Sequence, residues 1–256
     1  MAHHFDGAVL RRRPEEVVVE EPLTVRVNDV DVATTMRTPG HDFELAVGLL
    51  HADGMLAGAE VTEIRYCATG SAVETEFNVV SVSAPGAPEP TPRLGVISSS
   101  CGLCGTEAID DLAGRIDRVP AADPYEPDML LKVVDSMAGH QPIFDRTGGL
   151  HAAAAFDRDA VVLEAREDIG RHNAVDKVVG RFRLDGDLPA AGLGLFVSGR
   201  ASFEMVQKAW AAGFAAVVSV SAPSVLAVEA AHRAGLQLAG FARNGTLNQY
   251  APGGTP

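Results

Sequence analysis

Cysteine is scarce, with three in 256 residues. That is too few for a disulfide framework, so reduced thiols, free to react or bind a metal, are expected. Long apolar runs are missing as well. No stretch of eighteen uninterrupted apolar residues occurs, and the first ten residues carry His3, His4 and Asp6 where a secretory leader needs hydrocarbon. A cytoplasmic chain with no membrane partner is expected. Positive charge is in deficit: 21 Lys and Arg face 34 Asp and Glu, for a formal net charge of −13. This disfavours a nucleic-acid partner, because phosphate-backbone affinity rests on clustered Lys and Arg. The turns Ser198–Glu204 and Ser219–Ser224 have neither P-loop spacing nor the three-glycine dinucleotide fingerprint.

An apolar share of 46% over this length supports a substantial core in one large or two smaller domains. The cysteines that matter most lie in Ser98-Ser99-Ser100-Cys101-Gly102-Leu103-Cys104-Gly105. Glycine and serine leave such a loop free to turn and to admit another molecule close to sulfur. Cys67, alone after a strand-like run, reads as a small buried hydrophobe.

Periodicity divides the chain. The first ten residues and Arg11-Arg12-Arg13 read as a frayed, solvated basic arm. β-branched strands follow at Val17–Glu20, Leu23–Val27 and Val32–Met36, and a helix at Phe43–Ala52 that Asp42 is placed to cap. Val61–Tyr66 and Phe77–Val82 are further strands, and the proline-rich stretch Ala84–Pro92 opposes pairing. A short helix at Glu107–Leu112 and a break at Ala121–Pro127 come next. The predicted boundary gives a β-rich domain over 1–126 and an α/β domain over 127–256. In the second half, strands at 152–156, 160–165, 194–197, 215–220 and 236–241 alternate with helices at 127–138, 172–182, 203–212 and 225–234, which favours an α/β layer architecture.

Cys-x-x-Cys alone leaves several chemistries open. Zinc needs further ligands, such as His140, His151 or His172, and no second cysteine pair exists. A thioredoxin-like pair would sit between a strand at Leu94–Ile97 and a helix at Thr106–Leu112, but the order of elements does not match that fold. In a third reading Cys101 attacks a donor persulfide and holds the outer sulfur, with Cys104 assisting. Arg166, Arg171, His172, Lys177, Arg200 and Lys208 stand near glycine turns where they can serve a phosphorylated ligand. The dense polar segment Arg166–Lys177 and the turns Ser198–Glu204, Ser219–Ser224 and Phe241–Asn248 are the candidate binding edges.

Taken together, Ser99–Gly105, Gly148-Gly149-Leu150-His151-Ala152-Ala153, Arg166–Lys177 and Ser198-Gly199-Arg200 resemble the FdhD family of sulfur carriers for formate dehydrogenase maturation. The resemblance runs from Arg37–Ala46 to Phe241–Arg243 and Asn248–Tyr250. It implies a sulfurtransferase with a persulfide on Cys101, paired with Cys104. Sulfur would come from a cysteine desulfurase and pass to the bis-molybdopterin guanine dinucleotide form of the molybdenum cofactor, bound as cargo for formate dehydrogenase, with no resident metal. It also implies a cytoplasmic homodimer and a three-layer α/β/α C-terminal domain similar to cytidine deaminase. Cofactor contacts are expected at Phe241, Ala242, Arg243, Asn244, Gly245 and Thr246, and local chemistry adds Arg171, His172 and Arg200. Deaminase chemistry itself is not expected: the cysteine pair precedes the histidines, and His151 is followed by Ala152-Ala153 instead of a His-x-Glu element. A chaperone whose cysteines only control assembly is the non-enzymatic alternative.

Overall fold

The computed structural model describes residues 1–67, 72, 73, 75–90 and 105–254. Cys101, Cys104 and the strand expected at Leu94–Ile97 lie outside them. A hairpin of β1 (Ala2–Phe5) and β2 (Leu10–Arg13) opens the chain. The arm is therefore paired where the sequence suggested fraying. Val17–Glu20 is not a strand; Val17 and Val19 are exposed there.

The N-terminal layer contains β3 (Glu21–Val27), β4 (Val30–Arg37), α1 (Asp42–Ala52), β5 (Glu63–Tyr66) and β6 (Val79–Ser83), with sheet order β4-β3-β6-β5. Strand alternation points Leu23, Val25 and Val27 inward against Leu45, Ala46, Leu49 and Leu50 of α1. His41, in a left-handed conformation, is the N-cap of α1. Asp42 does not cap the helix as expected: its carboxylate is gripped by Arg37 through Nε at 3.2 Å and Nη2 at 3.0 Å.

After α2 (Gly105–Arg115) come α3 (Pro127–Ser136), α4 (Pro142–Thr147), β7 (His151–Phe156), β8 (Val162–Asp168), α5 (Arg171–Asp185), β9 (Gly194–Val197), α6 (Phe203–Ala212), β10 (Ala216–Ser219), α7 (Val225–Ala234), β11 (Gln237–Arg243) and β12 (Thr246–Pro252). The six-stranded sheet has the order β12-β11-β10-β9-β7-β8. β9, β10 and β11 are parallel, while β7 is antiparallel to both β9 and β8. β9 and β10 are buried along their whole length. Leu195, Val197 and Val217 meet the layer of α5, α6 and α7, whereas Phe196, Ala216 and Val218 meet α3. Burial on both faces explains why these strands read as continuous apolar runs. Ile109 and Leu112 of α2, with Val119, join the core beneath α7, so the segment after the cysteine pair packs with the C-terminal layer. The chain is thus an α/β protein with a β-rich N-terminal region.

α1 is apolar on nearly every side because it is covered twice, by its own sheet and by α5. Glycines set that crossing. A Cβ on Gly48 would stand 1.9 Å from the Asp176 carbonyl oxygen, and one on Gly180 would stand 1.8 Å from that of Glu44.

Candidate functional site

The parallel strands β9, β10 and β11 all end on one edge, and the antiparallel β7 begins there. In open α/β sheets that edge is where ligands collect. His151 opens β7, Ser198-Gly199-Arg200 follows β9, Ser219 ends β10, and Phe241 lies near the end of β11. Arg171 and His172 start α5 beside them.

Hydrogen bonds join these turns. Ser219 Oγ lies 2.6 Å from the Gly199 carbonyl oxygen and accepts the Ser221 N–H at 3.2 Å, and Phe241 N–H donates to Ser221 O at 3.1 Å. The Arg200 turn and the Phe241 turn, expected separately from sequence, therefore form one rim. Phe241 is held at φ +52° and Asn244 at φ +53°. Left-handed backbone at a bulky residue costs about 1–3 kcal/mol, and such strain concentrates at ligand sites. The Arg243 guanidinium lies 5.9 Å from the centre of the Phe241 ring.

His151 Nδ1 faces Ser198 Oγ at 3.3 Å, and that oxygen accepts the Ala152 N–H at 2.8 Å. With its acceptor side facing the backbone, the serine hydroxyl is placed to donate to a neutral imidazole. Burial, then the charges of Arg171 and His172, hold the His151 pKa below its usual 6.5. Burial and the neighbouring Arg200 likewise lower the pKa of Arg171, whose Nε is buried without a hydrogen-bond partner. His172 Nε2 lies 2.8 Å from Glu204 Oε2. Beside this cluster His151, Leu150, Phe144, Ile169, Phe196 and Ser198 help line a cavity of about 450 Å³.

The other polar residues of the Arg166–Lys177 segment do structural work, contrary to their reading as ligand contacts. Lys177 Nζ meets Asp168 Oδ2 at 2.7 Å, with both side chains at most 1% exposed. Asp168 also accepts the N–H groups of Thr38 and Gly170 at 3.1 and 2.8 Å. Asn173 donates to Met36 O at 2.7 Å, and Arg166 makes a bidentate pair with Glu44. Asp176 is buried against Lys208 at 2.6 Å; burial pushes its carboxyl up to about 6 although the ammonium opposes that rise. These contacts clamp the end of β4 and the loop after it to α5, and the start of α1 to β8. Arg171, His172 and Arg200 are left at the rim.

Sequence reasoning paired neither His151 with Ser198 nor His172 with Glu204, although all four lie in segments it singled out. Phe144 was missed because α4 carries too short an apolar pattern to announce itself. Among the described residues, no group of three or more His, Cys, Asp and Glu is arranged to hold a metal ion. No described helix is long and apolar enough to cross a membrane.

The family model of the FdhD/NarQ family matches residues 18–254. Proteins named Sulfur carrier protein FdhD from Streptomyces avermitilis and Streptomyces coelicolor are each 48% identical to it over 257 residues, covering 96% of this chain and 90% of theirs. A crystal structure described as that of a formate dehydrogenase accessory protein from Desulfotalea psychrophila shares the fold, with a TM-score of 0.72 at 23% identity over 100% of this chain and 95% of that one. The chain belongs to the FdhD/NarQ family.

Proposed function

We propose that this chain carries sulfur on Cys101 for the maturation of formate dehydrogenase, and that the rim from Arg171 to Arg243 holds the cofactor receiving it. The observation that carries the reading is the family match across residues 18–254, supported by relatives at 48% identity whose name is sulfur carrier. Such a carrier is a sulfurtransferase acting through a cysteine persulfide. The Cys101 thiolate attacks the outer sulfur of a persulfide on a cysteine desulfurase. One S–S bond breaks as another forms, and the donor cysteine leaves as a thiolate. Cys104 assists Cys101.

The cargo in this reading is the bis-molybdopterin guanine dinucleotide form of the molybdenum cofactor, bound as substrate. Arg171 and Arg200 suit its phosphates because guanidinium stays charged and donates in a planar fork. Phe241, Ala242, Arg243, Asn244, Gly245 and Thr246 form the other lip. The sheet order with antiparallel β7, layered between α3 and the helices α5 to α7, supports a cytidine-deaminase-like C-terminal domain. A two-domain division, with α2 and Val119 packed into the C-terminal layer and not in the N-terminal domain ending at 126, the cytoplasmic homodimer, and the desulfurase and dehydrogenase partners complete the proposal.

The test is activation of formate dehydrogenase in cells lacking the endogenous carrier. The wild-type chain restores activity and Cys101→Ala does not. Full activity from Cys101→Ala would refute the persulfide assignment and favour an assembly chaperone.

A further inference from the structure

We propose that residues 1–13 form a docking arm for a second copy of this chain, seated against β8 and the C-terminal end of α5. The inference rests on the homodimer proposed above and adds a surface that makes it. In the arm, Phe5 pairs with Leu10 and His3 with Arg12. Opposed residues share one face of a hairpin. Phe5 and Leu10 are each 62% exposed, and only Ala2 of the two strands is even half-buried. Asp6 tightens the turn by accepting the N–H groups of Ala8 and Val9 at 3.1 and 3.0 Å. A lone two-stranded hairpin is marginal in water, so this one needs a cover.

The chain just after the arm is fastened to its own C-terminal layer. Glu16 lies 3.4 Å from Arg146, and Val18 sits where a Cβ on Gly149 would be 3.2 Å away. The hairpin extends from this anchor, ahead of the family match that begins at residue 18.

Charge selects the occupant. Arg11, Arg12 and Arg13 outweigh Asp6 in the arm, whereas the chain as a whole carries −13. A basic arm on an acidic chain is complementary to another copy of that chain. The receiving groove, about 430 Å³, has an apolar floor including Leu163 and Leu193 and acidic groups Glu164, Asp185 and Asp187. Arg181 faces Glu164 and Asp185 at 3.5 and 3.0 Å, and Arg166 faces Glu164 at 2.7 Å. Arg166 is also engaged by Glu44 at 2.6 Å, so carboxylates remain in excess. β8 is an outer strand of its sheet, and such an edge can accept an added strand.

Sedimentation velocity over a concentration series tests this on the full chain, on residues 14–256, on Phe5→Asp/Leu10→Asp and on Asp185→Lys/Asp187→Lys. The expected result is a salt-sensitive dimer for the full chain. Truncation and the Phe5/Leu10 variant give monomers with unchanged melting temperatures, and the groove variant weakens the dimer at least tenfold. A dimer that survives both arm changes overturns the arm while leaving the homodimer standing. An undisturbed groove variant overturns the proposed seat, and a monomeric full chain overturns the homodimer and the arm together.

Discussion

Gly48 on α1 and Gly180 on α5 each face the other helix's backbone, where a Cβ would stand 1.9 and 1.8 Å from the carbonyl oxygens of Asp176 and Glu44. Each carbonyl belongs to a helix fixed on its far side, so neither can withdraw without moving a layer. Overpacking a core costs about 1–3 kcal/mol when side chains can give way. Here backbone would have to move, and Gly48→Ala or Gly180→Ala is expected to cost about 3 kcal/mol or more. Urea denaturation checks this; an unchanged midpoint would contradict the close crossing.

The Asp168–Lys177 pair makes a second stability prediction. Both groups are buried, and Lys177 Nζ also donates to Thr38 O at 3.0 Å. Removing one partner from a buried pair leaves an uncompensated charge and costs about 3–5 kcal/mol. Lys177→Met should destabilise by that amount in equilibrium unfolding, while persulfide formation per folded molecule stays intact.

His151 supplies the pH dependence. Its pKa is depressed by burial and by the positive charges of Arg171 and His172. A depressed histidine contributes stability that is present above its unfolded value near 6.5 and is lost as pH falls through the folded value. NMR titration should give a His151 midpoint below 6.5, with Nδ1 unprotonated and Nε2 protonated at neutral pH. Arg171→Gln should raise that midpoint. A midpoint at or above 6.5 in the wild-type chain would contradict the burial of His151 beside Arg171 and His172.

At the rim, Arg200→Gln and Arg243→Gln should each weaken cargo binding about tenfold or more, the equivalent of one charge-assisted hydrogen bond. Equilibrium binding of the purified guanine dinucleotide cofactor measures this. Sulfur loading from the desulfurase should be unaffected, since that exchange runs between a thiolate and a persulfide sulfur.

Much of the C-terminal layer was legible in the sequence. β9, α6 and α7 have their expected bounds. Gly213 and Gly235 stop the two helices in left-handed conformations, at φ +78° and +76°. β12 was missed because its half-exposed pattern follows a turn that itself reads as a chain end. The polar segment before and within α5 shows the limit of local reading. Arg166, Asp168, Asn173 and Lys177 look like ligand contacts until their partners Glu44, Thr38 and Met36 are seen. Those partners lie more than a hundred residues away, and no spacing rule links them. Arg171, His172 and Arg200, already expected from the sequence, stay at the rim, His172 beside Glu204, while Lys177 and Lys208 are drawn into buried pairs.

Site-resolved mass spectrometry after incubation with a cysteine desulfurase and cysteine tests the central claim most directly. The account predicts one added sulfur on the peptide bearing Cys101, removable by reductant and absent from Cys101→Ala. Sulfur found only on Cys67, or no added sulfur while formate dehydrogenase is still activated, would contradict it.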